Sequence, residues 1–292
     1  MRAYPECIPC LVKQGLNAAE KLNLPKEKLY EVAKAGVRYL AQFEEFDRSP
    51  AYYAYHIQKF VKELTGVEDP FREIKRISNL KAEEILNKLN VEEYLKGDRL
   101  RRALKLSAIG NILDFAILSE EEAYGKILQL LEKDFAIDHS EWFERELETS
   151  ERVLILGDNA GEIVFDKVLV KVLKELGKEV VYAVKGAPIL NDATLEDAKM
   201  VSLTSLCRVI TNGNDRVGTD LSVASEEFLN EWQRADLVVS KGQANFESLS
   251  GIGDKVIYFL LTAKCRPVVL ESGASKVGDL IFKRNKPLEG GN

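Results

Sequence analysis

The sequence is poor in the residues from which several protein classes are built. Four cysteines in 292 residues do not make a disulfide framework. Only two histidines occur, and each stands alone. No partner ligand sits at helical spacing from His56, and His139 lies in an acidic stretch that gives it no catalytic reading. No apolar run approaches the roughly 20 residues needed to span a bilayer. The first residues, Met1-Arg-Ala-Tyr-Pro-Glu-Cys7, lack the apolar core of a secretion signal. A cytoplasmic protein without membrane contact is therefore expected. Basic charge is also short: 41 Lys and Arg against 47 Asp and Glu leave a formal charge of −6. Nucleic-acid binding, which rests on phosphate neutralisation by a basic surface, is not expected. An anionic small molecule would have to be met by a local cation or a metal. Two Met and two His beside abundant Lys, Glu and Arg are compatible with a thermophilic composition.

What is present is a globular composition, 46% hydrophobic and 30% charged, with length for one large or two ordinary domains. The first half reads as helical. Apolar residues recur at helical spacing from Leu11 to Leu22, and again over Lys26–Phe46, Pro50–Thr65, Asp69–Leu89 and Asp98–Leu118. Ser49-Pro50 and Asp69-Pro70 look like helix starts, because proline suits the first helical position. After about residue 149 strands and helices alternate, the pattern of a largely parallel sheet with covering helices. The expected strands are Val153–Leu156, Glu179–Val184, Arg208–Ile210, Leu237–Ser240, Val256–Phe259 and Pro267–Leu270. Helices are expected at Glu162–Leu176 and Ser225–Ala235. The fold class is α/β: a mainly helical domain over 1–148 and a three-layer α/β domain with a Rossmann-like sheet over 149–292.

Polar clusters follow three of these strands. They are Gly157-Asp158-Asn159-Ala160-Gly161-Glu162, then Lys185-Gly-Ala-Pro188-Ile-Leu-Asn191-Asp192, then Lys241-Gly242-Gln-Ala-Asn245-Phe-Glu247. Parallel strands put the turns that follow them on one sheet edge, where α/β proteins bind ligands. Asp158, Asn159 and Asp192 are all oxygen donors and suit Mg²⁺ or Mn²⁺ better than zinc. Lys185 and Lys241 are candidates to hold anionic oxygens, and the glycines let backbone N–H groups approach a phosphate. Each turn alone reads equally as a helix cap or a simple turn; their convergence is what points to a site. Asn111 and Asp114, three apart in an apolar helical stretch, are either a self-satisfied polar pair or groups presented to the cleft. Cys7-Ile-Pro-Cys10 at a helix start is half a metal site, a redox pair or two packed small residues.

Taken together these segments resemble the metal-dependent damage-control phosphatases, a family long known only as a domain of unknown function. The resemblance rests on the three clusters above, on Gly110-Asn111…Asp114-Phe115, on Leu260-Leu-Thr-Ala-Lys264-Cys265 and on the opening cysteine pair, which marks a prokaryotic branch. It covers nearly the whole chain. It implies a phosphomonoesterase acting on small phosphorylated metabolites, sugar phosphates or damaged phosphate esters, with Mg²⁺, Mn²⁺, Co²⁺ or Ni²⁺ as cofactor. The family's metal ligands fall on Asp158, Asn159 and Asp192, and its phosphate-contacting lysine on Lys241. Asn111, Asp114, Glu162 and Asn245 fall in matching segments that would line the cleft, with Lys185 and Asn191 beside them. Asp158 stands both as metal ligand and as alternative nucleophile to water, with Lys241 and Glu162 as further catalytic candidates. Cys7 and Cys10 are candidates for a second metal or a redox role. Two rival readings remain. One is an S-adenosylmethionine-dependent carboxyl methyltransferase, since a relative of the family has been proposed to methylate acidic side chains. The other is a non-catalytic metal- or nucleotide-binding module.

Overall fold

The computed structural model describes residues 1–110 and 118–286. Asn111 and Asp114 therefore lie outside the described residues.

The N-terminal part is helical: α1 (Cys7–Lys21), α2 (Lys26–Leu40), α3 (Pro50–Thr65), α4 (Arg72–Lys88), the single turn α5 (Val91–Tyr94), α6 (Arg99–Gly110), α7 (Glu120–Leu131) and α8 (Ser140–Thr149). Local chemistry sets their ends. Ser49 accepts a hydrogen bond from Tyr52 N and Pro50 opens the first turn of α3, which closes on Gly66 in the left-handed region. A reciprocal Ser119–Glu122 capping box starts α7. The helix expected to run to Phe46 stops at Leu40. Beyond it Phe43 and Phe46 fold back onto Tyr53, with ring centroids 5.0 and 5.1 Å away, and that burial is incompatible with a continuing helix.

The sheet has seven strands: β1 (Ile137–Asp138), β2 (Arg152–Leu156), β3 (Glu179–Val184), β4 (Arg208–Thr211), β5 (Leu237–Lys241), β6 (Ile257–Thr262) and β7 (Leu280–Arg284). Their spatial order is β1-β7-β6-β5-β2-β3-β4, and every pair is parallel except β6 with β7. The helices α9 (Glu162–Glu175), α10 (Leu195–Met200), α11 (Glu226–Arg234), α12 (Gln243–Leu249) and α13 (Arg266–Ser272) join and cover the strands. One buried cluster runs from Ala82 and Ile109 through Phe165 to Tyr258 and Phe282, so helices of the first half cover one sheet face. A second cluster, with Phe228, Trp232, Phe246 and Val268, covers the other face. The strand expected at Pro267–Leu270 is instead part of α13. Pro267 sits in its first turn and Gly273, at φ 81°, closes it. The missing strand is β7, antiparallel at the β6 edge. β1 then pairs with β7, so residues 137–138 join the sheet.

The chain moves outward from β2 to β3 and β4, then returns to the other side of β2 to form β5 and β6. The crevice between the carboxyl ends of β2 and β5 is thus a topological switch point, where such sheets bind ligands.

Candidate active site

Main-chain pairing builds the acidic wall of this crevice. Ala160 N donates to Asn191 O at 2.9 Å and Ala193 N donates to Asp158 O at 2.7 Å, so Asn159 and Asp192 form an isolated antiparallel bridge. The turn after β2 is zipped to the loop after β3. Asp158, Asn159, Asn191 and Asp192 consequently line one cavity of about 210 Å³. Gly161 starts α9 with φ 80°, and its N–H is held by the buried Asn79 Oδ1 at 2.7 Å. The turn after β5 approaches from the other side. Gly242 has φ 79°, and a Cβ there would fall 1.9 Å from Asp158 Oδ2, so only glycine lets β5 pass the acidic turn.

Asp158 and Asp192 are both buried. Burial raises the Asp192 pKa, opposed by Lys185, whose Nζ lies 3.4 Å from Oδ2. The Lys185 ammonium is the neighbour the structure gives that oxygen, at the long end of hydrogen-bonding range. Asn159 Nδ2 donates to Asp158 Oδ2 at 2.7 Å. Among the described residues no group of three His, Cys, Asp or Glu side chains forms a metal cage. Two buried carboxylates and one carboxamide on a single cavity wall, all able to offer oxygen, with one carboxylate oxygen held only by a long contact to Lys185, nevertheless fit a hard divalent cation. Turning the Asn159 carboxamide end for end would present its oxygen.

The two lysines expected at phosphate are placed differently. Lys241 is 0% exposed. Its ammonium lies 2.5 Å from Asp166 Oδ1, 2.6 Å from Glu162 Oε1 and 3.1 Å from Ser107 O, which occupies all three of its donors. Burial works against the Lys241 charge, yet Asp166 and Glu162 hold its pKa above the ordinary value. Asp166 also accepts from Tyr182 Oη at 2.5 Å. Lys241 and Glu162 therefore brace the floor between β5, α6 and α9 and do not line the cavity. Lys185 donates to the carbonyls of Arg216, at 3.0 Å, and Gly218, holding that loop behind Asp192. Asn245 is spent internally, donating to Lys241 O and Gly157 O and accepting from Thr219 Oγ1.

Residues to which the sequence assigned no role complete the cavity, although Glu247 lies in the third polar cluster and Lys264-Cys265 in a segment that carries the resemblance. Gln14 comes from α1, Ala51 and Ala54 from α3, Gln243 and Glu247 from α12, and Lys264 and Cys265 from the loop after β6. Lys264 is the one Lys or Arg among them, and it is exposed. Gln243 links this wall: its Nε2 donates to Glu247 Oε1 at 2.9 Å, and its Oε1 accepts from Lys264 N at 3.2 Å. Burial pushes the Glu247 carboxyl up to about 7, against the Gln243 hydrogen bond. Cys7 and Cys10 line the same cavity, and Cys265 joins them from the loop after β6. Burial pushes the Cys7 thiol up to about 11, so it is not a thiolate at neutral pH.

With this geometry in place, comparison with known proteins is decisive. Residues 3–280 match the model of the damage-control phosphatase ARMT1-like domain. The chain belongs to this family. A damage-control phosphatase of Pyrococcus horikoshii is 35% identical over 290 residues, 98% of this chain and 99% of that protein. One from Archaeoglobus fulgidus is 33% identical over 292 residues, 97% of this chain and 99% of that protein. The crystal structure of a DUF89 family protein from Pyrococcus horikoshii superposes with a TM-score of 0.90 at 34% identity, covering 98% of this chain and 100% of that one. Among the described residues no helix is long and apolar enough to cross a membrane.

Proposed function

We propose that this damage-control phosphatase homologue is a divalent-metal-dependent phosphomonoesterase of small phosphorylated metabolites, and that its chemistry occurs in the cavity at the switch point. The observation that carries this reading is the convergence of Asp158, Asn159 and Asp192 on one cavity wall with Lys264 lining the same space. Asp158, Asn159 and Asp192 would hold the cation. When bound, Mg²⁺, Mn²⁺, Co²⁺ or Ni²⁺ supplies Lewis acidity at a phosphoryl oxygen and at the attacking water. Lys264 neutralises charge on the remaining phosphoryl oxygens, a role its exposed ammonium can fill and the buried Lys241 cannot. Lys241, through Glu162 and Asp166, fixes the start of α9 and so the direction of the Asp158 turn. The small, partly apolar pocket formed by Leu11, Ala51, Ala54 and Leu190 takes the organic part of the ester.

The test is release of inorganic phosphate from a panel of sugar phosphates, other metabolite esters and p-nitrophenyl phosphate, with each of the four metals and with EDTA. Metal-dependent release from at least one ester, abolished by EDTA, is expected. No release from any ester with any of the four metals overturns the reading, as does release that EDTA leaves untouched.

A further inference from the structure

Four carboxyl groups line the cavity: Glu6, Asp158, Asp192 and Glu247. Asp158 and Asp192 form the metal wall. Glu6 is exposed and paired with Arg266, whose Nη1 lies 2.5 Å from its Oε1. Glu247 differs from all three. It is 7% exposed, has no ion pair with a Lys or Arg among the described residues, and is held by the Gln243 carboxamide at 2.9 Å and by the Ala51 N–H. It stands on α12, the helix that follows the β5 turn, whereas the acidic wall stands on the turns after β2 and β3. We propose that Glu247 is the general acid that protonates the departing alcohol, and that Gln243 positions it. The proposal rests on the phosphatase reading above.

The chemistry requires such a group. As the attacking water forms its bond to phosphorus, the bond from phosphorus to the ester oxygen breaks and its electron pair stays on that oxygen. An alkoxide is a poor leaving group, so the Glu247 carboxyl proton passes to it and an alcohol departs. Glu247 is left as a carboxylate, and the proton shed by the water returns to it through solvent. In an in-line displacement the leaving oxygen lies opposite the attacking one, so its acid belongs on a different element from the groups that hold the attacking side.

The surroundings suit this role. The groups around Glu247 are the Cys7 and Cys10 thiols of α1, Cys265 after β6, the Met1 amino group and the Ala51 N–H at the start of α3, and Lys264 lines the same cavity. A neighbouring cavity that Glu247 also lines adds Asp47, Arg48, Arg216 and Asp220. Burial is the largest influence and favours the protonated form; Gln243, the Met1 amino group and the Ala51 N–H oppose it. A carboxyl that ends up near neutrality is matched to proton transfer at neutral pH. The thiols, whose pKa values burial raises further, are poorer acids.

The experiment compares the metal-loaded protein with Glu247→Gln on two esters: the best alkyl phosphate from the panel and p-nitrophenyl phosphate, whose leaving group departs without a proton. Glu247→Gln is expected to lower kcat on the alkyl ester by about 100-fold or more and on the aryl ester by less than about 10-fold. The alkaline limb of the wild-type profile should vanish with it. Gln243→Met, which removes a bond that favours the carboxylate, should move that limb to higher pH. Equal loss on both esters, or an alkyl rate within 10-fold of wild type, overturns the proposal while leaving the phosphatase reading in place. Absence of turnover by the unaltered protein on any ester overturns both.

Discussion

Lys241 Nζ lies 2.5 Å from Asp166 Oδ1, with both side chains shut off from solvent. A lysine that follows a strand and precedes a glycine looks like a phosphate ligand, but this one is a buried strut. Lys241→Met would leave Glu162 and Asp166 facing each other without a cation. Breaking a buried pair from one side costs about 3–5 kcal/mol. Urea denaturation should show that loss, with activity falling alongside the folded fraction.

Lys264 should behave in the opposite way. It is exposed, and among the described residues its one hydrogen bond is from its backbone N–H to Gln243. Lys264→Met should change unfolding free energy by no more than about 0.5 kcal/mol. Its kcat/KM should fall about 10-fold or more, as expected when a cation on the transferring phosphoryl group is lost. Wild-type kcat/KM in this variant would remove Lys264 from the site.

Asp158→Ala and Asp192→Ala each remove an oxygen donor from the acidic wall. Each should reduce metal-dependent turnover by at least about 100-fold and weaken Mn²⁺ binding in calorimetric titration, while circular dichroism stays unchanged. Unaltered Mn²⁺ affinity in both variants would move the metal elsewhere.

Gly242→Ala tests the close passage between β5 and the Asp158 turn. At φ 79° and ψ 166° the backbone lies where essentially only glycine is found, and the new methyl would overlap Asp158. A cost of about 1–3 kcal/mol for the backbone alone is expected, with activity lost through displacement of Asp158. Chemical denaturation and turnover measured on one preparation check both.

Glu247 gives stability a pH dependence. Its ordinary value of 4.5 rises to about 7 in the folded protein, so between those pH values the folded chain keeps a proton that the unfolded chain has lost. Stability must therefore fall as pH rises through that window, by up to about 3 kcal/mol. Above it the loss levels off. Glu247→Gln lacks this titration. The stability of wild type minus that of Glu247→Gln, from urea melts at pH 4.5 and pH 8, should fall by that amount. A difference independent of pH would show that Glu247 titrates at its ordinary value.

Much of this architecture is legible in the sequence, because the apolar runs and the turns after them are local features. Arg152–Leu156 followed by Gly157-Asp158-Asn159 reads as a strand ending in oxygen donors, and so it is. The segment Pro267-Val-Val-Leu270 misleads, since its β-branched residues outweigh the helix-start proline and the closing Gly273. Lys241 misleads for a different reason. Its partners Glu162 and Asp166 lie some 75 residues away, four apart on one face of α9, and only tertiary packing joins them to it. The available signal was that this i, i+4 acidic pair flanks Ile163-Val-Phe165 at the start of a helix whose other charged residues begin at Lys167. Glu247 carries no local mark of its burial. Its desolvation comes from α1, α3 and the loop after β6, which the sequence does not bring together.

The Asn159–Asp192 bridge has a consequence for how the site could change. The two residues meet because their backbones are in step, so their spacing is fixed by loop length and not by side-chain chemistry. Within the loop from Gly186 to Leu190, Leu190 lines the wall, at φ 47° in a conformation unusual for its type, and a substitution there can reshape it, whereas a Cβ at Gly186 would fall 2.5 Å from Asn214 N. Adding or deleting one residue there would put the strands of the bridge out of phase and turn Asp192 away from Asp158. New specificities in this scaffold are thus open to point mutation at Leu190, while a change in the length of the loop displaces an oxygen donor of the acidic wall.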